Sequence, residues 1–130
     1  MNILAGLKYS NTDEWVKVDG KVATIGVSDY AQEQLSDVVF VEIAVSLDDV
    51  VKKGALLGTV ESVKAASDIN FPVSGKVVSI NESLSDSPEL VNTDPYEKAW
   101  MVKIEMSNTA ELNDLMDTKS YQEYCEGREH

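Results

Sequence analysis

The feature that most constrains this chain is a hydrophobic period of two. Apolar, mostly β-branched residues alternate with polar ones in short runs, broken by turn signals roughly every 8 to 12 residues, the pattern of an all-β sandwich or barrel. WVKV (15–18) and KVATIGV (21–27) flank Asp19-Gly20, a strong hairpin signal. Further strands are predicted at VVFVEIAV (38–45), at 50–53 leading into Gly54, at ALLGTVESV (55–63), at 69–73, at KVVSI (76–80) after the Ser74-Gly75 turn, and at WMVKIEM (100–106). Pro72 marks an edge or a strand end, because it cannot donate to a sheet ladder.

Helical signals are few and peripheral. In SDYAQEQL (28–35), Asp29 with Gln32 resembles a capping box, and Tyr30, Ala31 and Leu35 supply an apolar face. The polar stretch 81–96, carrying Pro88 and Pro95, reads as an ordered irregular loop. Near the carboxyl end, Asn108 with Glu111 caps ELNDLM, and Asp117 or Ser120 opens a second helix, SYQEYCEG, stopped near Gly127. A faint internal echo relates Val51-Lys52-Lys53-Gly54 and Thr59-Val60-Glu61 to Val73-Ser74-Gly75 and Ser79-Ile80-Asn81-Glu82. It suggests two similar sheet halves joined by a hairpin.

Composition narrows the function. The 130 residues suit one domain with a real core, here 1–130 with 108–127 as a helical extension packed on it. A formal net charge of −12 argues against nucleic acid and anionic membranes and steers the chain towards basic partners. No apolar run approaches the roughly 18 residues that cross a bilayer, and the amino terminus lacks a secretory pattern. The single cysteine, Cys125, suits a reducing compartment. Enzyme machinery is thin: the one histidine, His130, ends the chain, and there is no nucleophile–histidine pair, zinc cluster or phosphate loop.

One side chain stands out. In ESVKAASD (61–68), Lys64 falls between the strands 55–63 and 66–71, at or beside a hairpin tip. Ala65, Ala66 and Ser67 leave clear space beside its amine, the geometry an acylating enzyme needs. Lys52 and Lys53, beside Gly54, read instead as solvated turn lysines.

ESVKAASD also resembles the modification site of the H protein of the glycine cleavage system. The resemblance runs from about Leu4 to Glu126. It takes in LKYS and EWV (7–10, 14–16), VATIGVSDYAQ (22–32), DVVFVEI (37–43), the stretch 60–77, PELVN and DPY within 88–96, and the trailing helices. Biotinyl carrier domains set their lysine between methionines, and lipoyl domains of 2-oxoacid dehydrogenases set theirs after an aspartate; Lys64 lies between Val63 and Ala65. The resemblance implies a mainly β, lipoyl-domain-like fold. This is a flattened barrel-sandwich hybrid with the lysine on a hairpin tip, a short internal helix and C-terminal helices.

It also implies a non-catalytic carrier with lipoic acid in amide linkage on Lys64. The arm would take the aminomethyl group from glycine decarboxylase to an aminomethyltransferase, and electrons to dihydrolipoamide dehydrogenase. A lipoate ligase or a lipoyl/octanoyl transferase would load it, reading Glu61, Ser62, Val63, Ala65 and Asp68. Thr12, Glu14 and Asp68 would form the pocket that shelters the cationic aminomethyl cargo. A monomer is expected, in the bacterial cytoplasm or, in a eukaryote, the mitochondrial matrix. The alternative role is a lipoyl relay serving other lipoate-dependent enzymes. The chain departs from the family pattern at Asp13, where histidine is common, at Ser36 and Asp48, where glycine is usual, and at Lys98-Ala99 before Trp100. The two glycine losses are expected to alter local turn geometry.

Overall fold

The computed structural model describes residues 3–128; Met1, Asn2, Glu129 and His130 lie outside them. Among the described residues, nine strands form two antiparallel sheets that are not closed into a barrel. The larger runs in the order β1 (Lys8–Tyr9), β2 (Glu14–Asp19), β3 (Val22–Val27), β9 (Val102–Met106), β8 (Gly75–Ile80), β5 (Val50–Val51). The smaller runs β4 (Val38–Ile43), β6 (Leu56–Ser62), β7 (Ala66–Asn70). The echoed units do not each keep to one sheet: Val51 lies on β5 of the larger sheet and Thr59-Val60-Glu61 on β6 of the smaller, while Gly75 and Ser79-Ile80 both lie on β8 of the larger.

The period of two is what closes the core. Ile25, Val77 and Ile104 from the larger sheet and Val41, Val60 and Ile69 from the smaller one all join one buried cluster. Each such side chain contributes about 1.5–3 kcal/mol on burial. A second cluster, with Tyr9, Trp15, Tyr30, Tyr121 and Cys125, lies where the last helix, α4 (Thr118–Arg128), meets β1 and β2. Tyr121 stacks on Tyr9 with ring centroids 4.4 Å apart. Gly26 is opposite Trp15 in the ladder, and a Cβ there would lie 2.7 Å from the indole ring. Glycine therefore makes room for the largest side chain of the sheet.

Several boundaries differ from the sequence reading. The β2–β3 turn is Gly20-Lys21, one residue later than expected, since Asp19 pairs with Val22 and Gly20 takes the positive φ of 62° that a two-residue hairpin requires. Ser28, not Asp29, caps α1 (Asp29–Leu35). Its extended backbone lets Oγ accept from the Ala31 N–H, while Asp29 lies inside the first turn and accepts from Gln32 Nε2. The loop 81–96 contains two single-turn helices, α2 (Ser83–Asp86) and α3 (Leu90–Thr93), anchored by buried Leu84 and Val91. The stretch capped by Asn108 is a 3-10 helix, Thr109–Asp114, and Asp117 accepts from the Ser120 N–H to open α4, which continues through Gly127.

The expectation that losing two glycines would change turn geometry is corrected. Ser36 and Asp48 hold the left-handed conformation themselves, with φ of 65° and 71°, and Asp13 does so at 74°. The fold keeps the turns and absorbs the strain.

Candidate functional site

Lys64 stands at the tip between β6 and β7. Thr59–Asp68, Val60–Ser67 and Glu61–Ala66 pair across the strands, and the Ser62 N–H donates to the Ala65 carbonyl at 2.7 Å. Ser62 Oγ closes the turn from the side, donating to that carbonyl and accepting from the Ala65 N–H, each at 3.1 Å. The Val63 N–H donates to the Asp37 carbonyl at 3.0 Å, tying the tip to the entry of β4. Val63, Lys64, Ala65 and Ala66 are exposed, as are Glu61 and Asp68. Of the five residues expected to guide a ligase, only Ser62 is buried, and its hydroxyl is spent inside the turn.

At the other end of β7 lies a cleft of about 390 Å³, lined by Ser10, Thr12, Glu14, Asn70, Phe71, Pro72, Leu115 and Met116 among others. Glu14 is its buried polar wall, 1% exposed. Glu14 Oε1 accepts from Ser10 Oγ at 2.6 Å and from Thr12 Oγ1 at 2.5 Å, and Oε2 accepts from the Asn70 N–H at 3.3 Å. Ser10 Oγ also accepts from the Glu14 N–H. The Lys53–Asp114 ion pair, 3.1 Å, sits at the rim; Lys53 is the exposed turn lysine expected from sequence and also lines the cleft mouth.

The sequence explains why these groups converge. Ser10 and Glu14 close a three-residue loop: the Ser10 N–H donates to the Glu14 carbonyl, the Asp13 N–H to the Ser10 carbonyl, and Asp13 holds the left-handed position such loops require. That loop folds Ser10 and Thr12 back onto Glu14. Desolvation by burial pushes the Glu14 carboxyl above its ordinary range, opposed by the hydrogen bonds from Ser10, Thr12 and Asn70.

The structure unites Thr12 and Glu14 in one cleft but leaves Asp68 out of its walls. Asp68 is exposed halfway along β7, and Thr59 Oγ1 donates to it at 3.4 Å. Ser10, Asn70 and the apolar walls escaped the sequence reading. The only signal for Ser10 was its spacing before Glu14 across a loop.

A mainly β, lipoyl-domain-like fold that lifts one exposed lysine on a hairpin, with a cleft walled by a buried carboxyl further along the same strand, is the architecture of a carrier-type protein. Residues 7–128 match the family model described as glycine cleavage H-protein. The chain belongs to that family. It is 53% identical over 123 residues to the glycine cleavage system H protein of Staphylococcus haemolyticus, spanning 95% of this chain and 97% of the relative. It is 52% identical over 124 residues to the mitochondrial glycine cleavage system H protein 2 of Arabidopsis thaliana, spanning 95% and 79%. Among solved structures it is similar to a glycine cleavage system H protein from Mycobacterium marinum, with a TM-score of 0.84 and 28% identity over 93% of this chain and 97% of that one.

Membership supports a lipoyl-carrier role in the glycine cleavage system, alongside that system's other enzymes. The residues present fit such a group: an exposed amine on a closed turn, small exposed neighbours, and a cleft with apolar walls and one carboxyl along the same strand. Among the described residues, no helix is long and apolar enough to cross a membrane, and no three His, Cys, Asp or Glu side chains are grouped to hold a metal ion.

Proposed function

We propose that this protein carries lipoate in amide linkage on Lys64 and works as a single non-catalytic carrier domain, with 108–127 as its helical extension. When bound, the lipoyl group supplies a dithiolane that accepts the aminomethyl group released by glycine decarboxylase, yields it to the aminomethyltransferase, and passes electrons to dihydrolipoamide dehydrogenase. The observation that carries this reading is the placement of Lys64 on a hairpin whose second strand leads straight to the Glu14 cleft.

The chain's own residues then do the following. Ser62 keeps the tip closed, so Lys64 is presented outward in one direction. From Ala66, two residues past Lys64, to Asn70 the extended strand β7 covers about 13 Å, with Asp68 on the way as an exposed carboxylate. Phe71, Pro72, Leu115 and Met116 supply the apolar part of the cleft's lining. Glu14, held by Ser10 and Thr12, offers a carboxyl to a cationic amine. Glu61, Val63, Ala65 and Asp68 flank the amine where an attaching enzyme must bind. A monomer in the bacterial cytoplasm, or in the mitochondrial matrix of a eukaryote, suits this role.

The test is modification followed by exchange. Incubation with a lipoate ligase, ATP and lipoate should add one lipoyl group by intact mass, mapped to Lys64, lost in Lys64→Arg and kept in Lys52→Arg. The lipoylated protein should then stimulate glycine–bicarbonate exchange by glycine decarboxylase. An unmodified chain refutes the carrier reading; modification without stimulation moves the role to a lipoyl relay.

A further inference from the structure

Strand β4 carries a feature that the carrier role leaves unused. Its burial runs buried, exposed, exposed, buried from Val38 to Val41, and its pairing with β6 shifts register between Val38 and Phe40. This is a β-bulge, which re-aims side chains and recurs beside functional sites. Its result is that Val39 and Phe40, consecutive in sequence, are 55% and 46% exposed on an edge strand of the smaller sheet. Phe40 pairs with Glu61 and Val38 with Ser62, while Val63, 77% exposed, is bonded to Asp37 just before the strand. Phe40 therefore lies opposite Glu61, one residue before the end of β6 and three positions before Lys64 at the tip. Exposed Asp37, Glu42 and Glu61 border these apolar side chains.

We infer that Val39, Phe40 and Val63 form the docking surface for the enzyme that acylates Lys64. The partner surface is an apolar groove with a basic rim. Reach selects this occupant. An enzyme that acylates the bare amine must bring its active site within one lysine side chain of the tip, so it has to cover the residues around the tip. Enzymes that use the finished arm work a full lipoyl chain further out and need not touch them. Charge selects the rim, since the border of the patch is acidic on a chain of net charge −12. In the step itself, the neutral Lys64 amine attacks the carbonyl of lipoyl-adenylate. The amide C–N bond forms as the bond to AMP breaks, and the amine's proton leaves to solvent. This inference rests on the carrier reading and adds β4, a strand outside the modification hairpin, to the recognition surface.

The experiment is a time course of lipoylation, by intact mass, with a lipoate ligase, ATP and lipoate. Phe40→Ser and Val39→Ser are compared with wild type and with Val50→Ser, an 81% exposed apolar residue on the larger sheet. Hot-spot truncation predicts that kcat/KM for the protein substrate falls about tenfold or more for the β4 variants, mostly through KM. Val50→Ser should match wild type. Urea unfolding of each variant shows whether it is folded, and Val39→Ser carries the test should Phe40→Ser unfold. Unchanged lipoylation of folded β4 variants overturns the inference, whether or not their glycine exchange or oligomeric state changes. Wild type that takes no lipoate removes the carrier reading beneath it, a different result.

Discussion

Removing the bond between Asp13 and Arg128 tests how α4 is held to the sheet. Arg128 Nη1 and Nη2 donate to Asp13 Oδ1 and Oδ2 at 2.7 and 2.9 Å, a bidentate pair at the end of the chain's last helix. The side chains are 33% and 14% exposed, so the pair is worth more than a solvated surface bridge, about 1–2 kcal/mol. The guanidinium also lies 4.5 and 4.7 Å from the ring centroids of Tyr30 and Tyr124, contacts worth about 0.5 kcal/mol or more each. Tyr121 donates to Asp13 Oδ1 at 2.8 Å, and its hydroxyl shares a 2.6 Å bond with Ser28. Arg128→Ala should therefore cost about 2 kcal/mol. Asp13→Asn should cost about 1 kcal/mol, because asparagine tolerates the left-handed φ and keeps an acceptor for Tyr121. Asp13→Ala should cost about 3 kcal/mol, since it leaves the buried Tyr121 hydroxyl with one partner fewer and strains the backbone as well.

Urea unfolding followed by tryptophan fluorescence reads these values at constant m. The double variant Asp13→Asn, Arg128→Ala isolates the pair, with an expected coupling of about 1 kcal/mol. Additivity within about 0.3–0.5 kcal/mol would mean that the Asp13–Arg128 pair contributes no measurable interaction, and would refute the reasoning.

Two further outcomes follow from strain and burial. Ser36→Gly should raise stability by about 1 kcal/mol in the same urea assay, because Ser36 sits at φ 65° and ψ −141°, a region that costs a side chain roughly 1–3 kcal/mol, partly offset by the greater freedom of glycine in the unfolded chain. Glu14→Gln should change the pH profile of thermal unfolding: the folded-state pKa of Glu14 is raised by burial, so its contribution is present below the ordinary carboxylate value of about 4.3 and is lost as pH rises through the folded value. Relative to wild type, the glutamine variant should gain with rising pH and then level off, and a pH-independent difference would count against a desolvated carboxyl.

What the sequence made legible was local. Alternation located the strands, because one face of each must be buried, and the short gap between strands 55–63 and 66–71 located the tip. Of the cleft, the resemblance supplied Thr12 and Glu14; its remaining walls, from Ser10 and Asn11 and from residues 53–54, 70–72 and 114–116, were not legible, because only the sheet order brings them together. The cap of α1 was misassigned because Asp29 and Ser28 are both capping types, and the choice is made by the backbone of Ser28 and by Tyr121, 93 residues away. Ser36 and Asp48 misled for a related reason: propensity speaks against positive φ at a single residue, whereas the surrounding ladder decides whether the turn forms.

The two oxygens of Glu14 divide the labour of the proposed site. Oε1 takes both hydroxyls, Ser10 and Thr12, at short distance, so its accepting capacity is used in fixing the side chain. Among the described residues, Oε2 has only the long bond from the Asn70 N–H and retains capacity for another donor. A neutral ligand gains little there, because it leaves the cost of a buried charge in place. A cationic amine offsets that cost, favours the ionised carboxyl and lowers the pKa that burial has raised. In the proposed role the cleft selects by charge rather than by shape, and Asn70, whose backbone N–H donates to Glu14, ends the strand that starts two residues after Lys64.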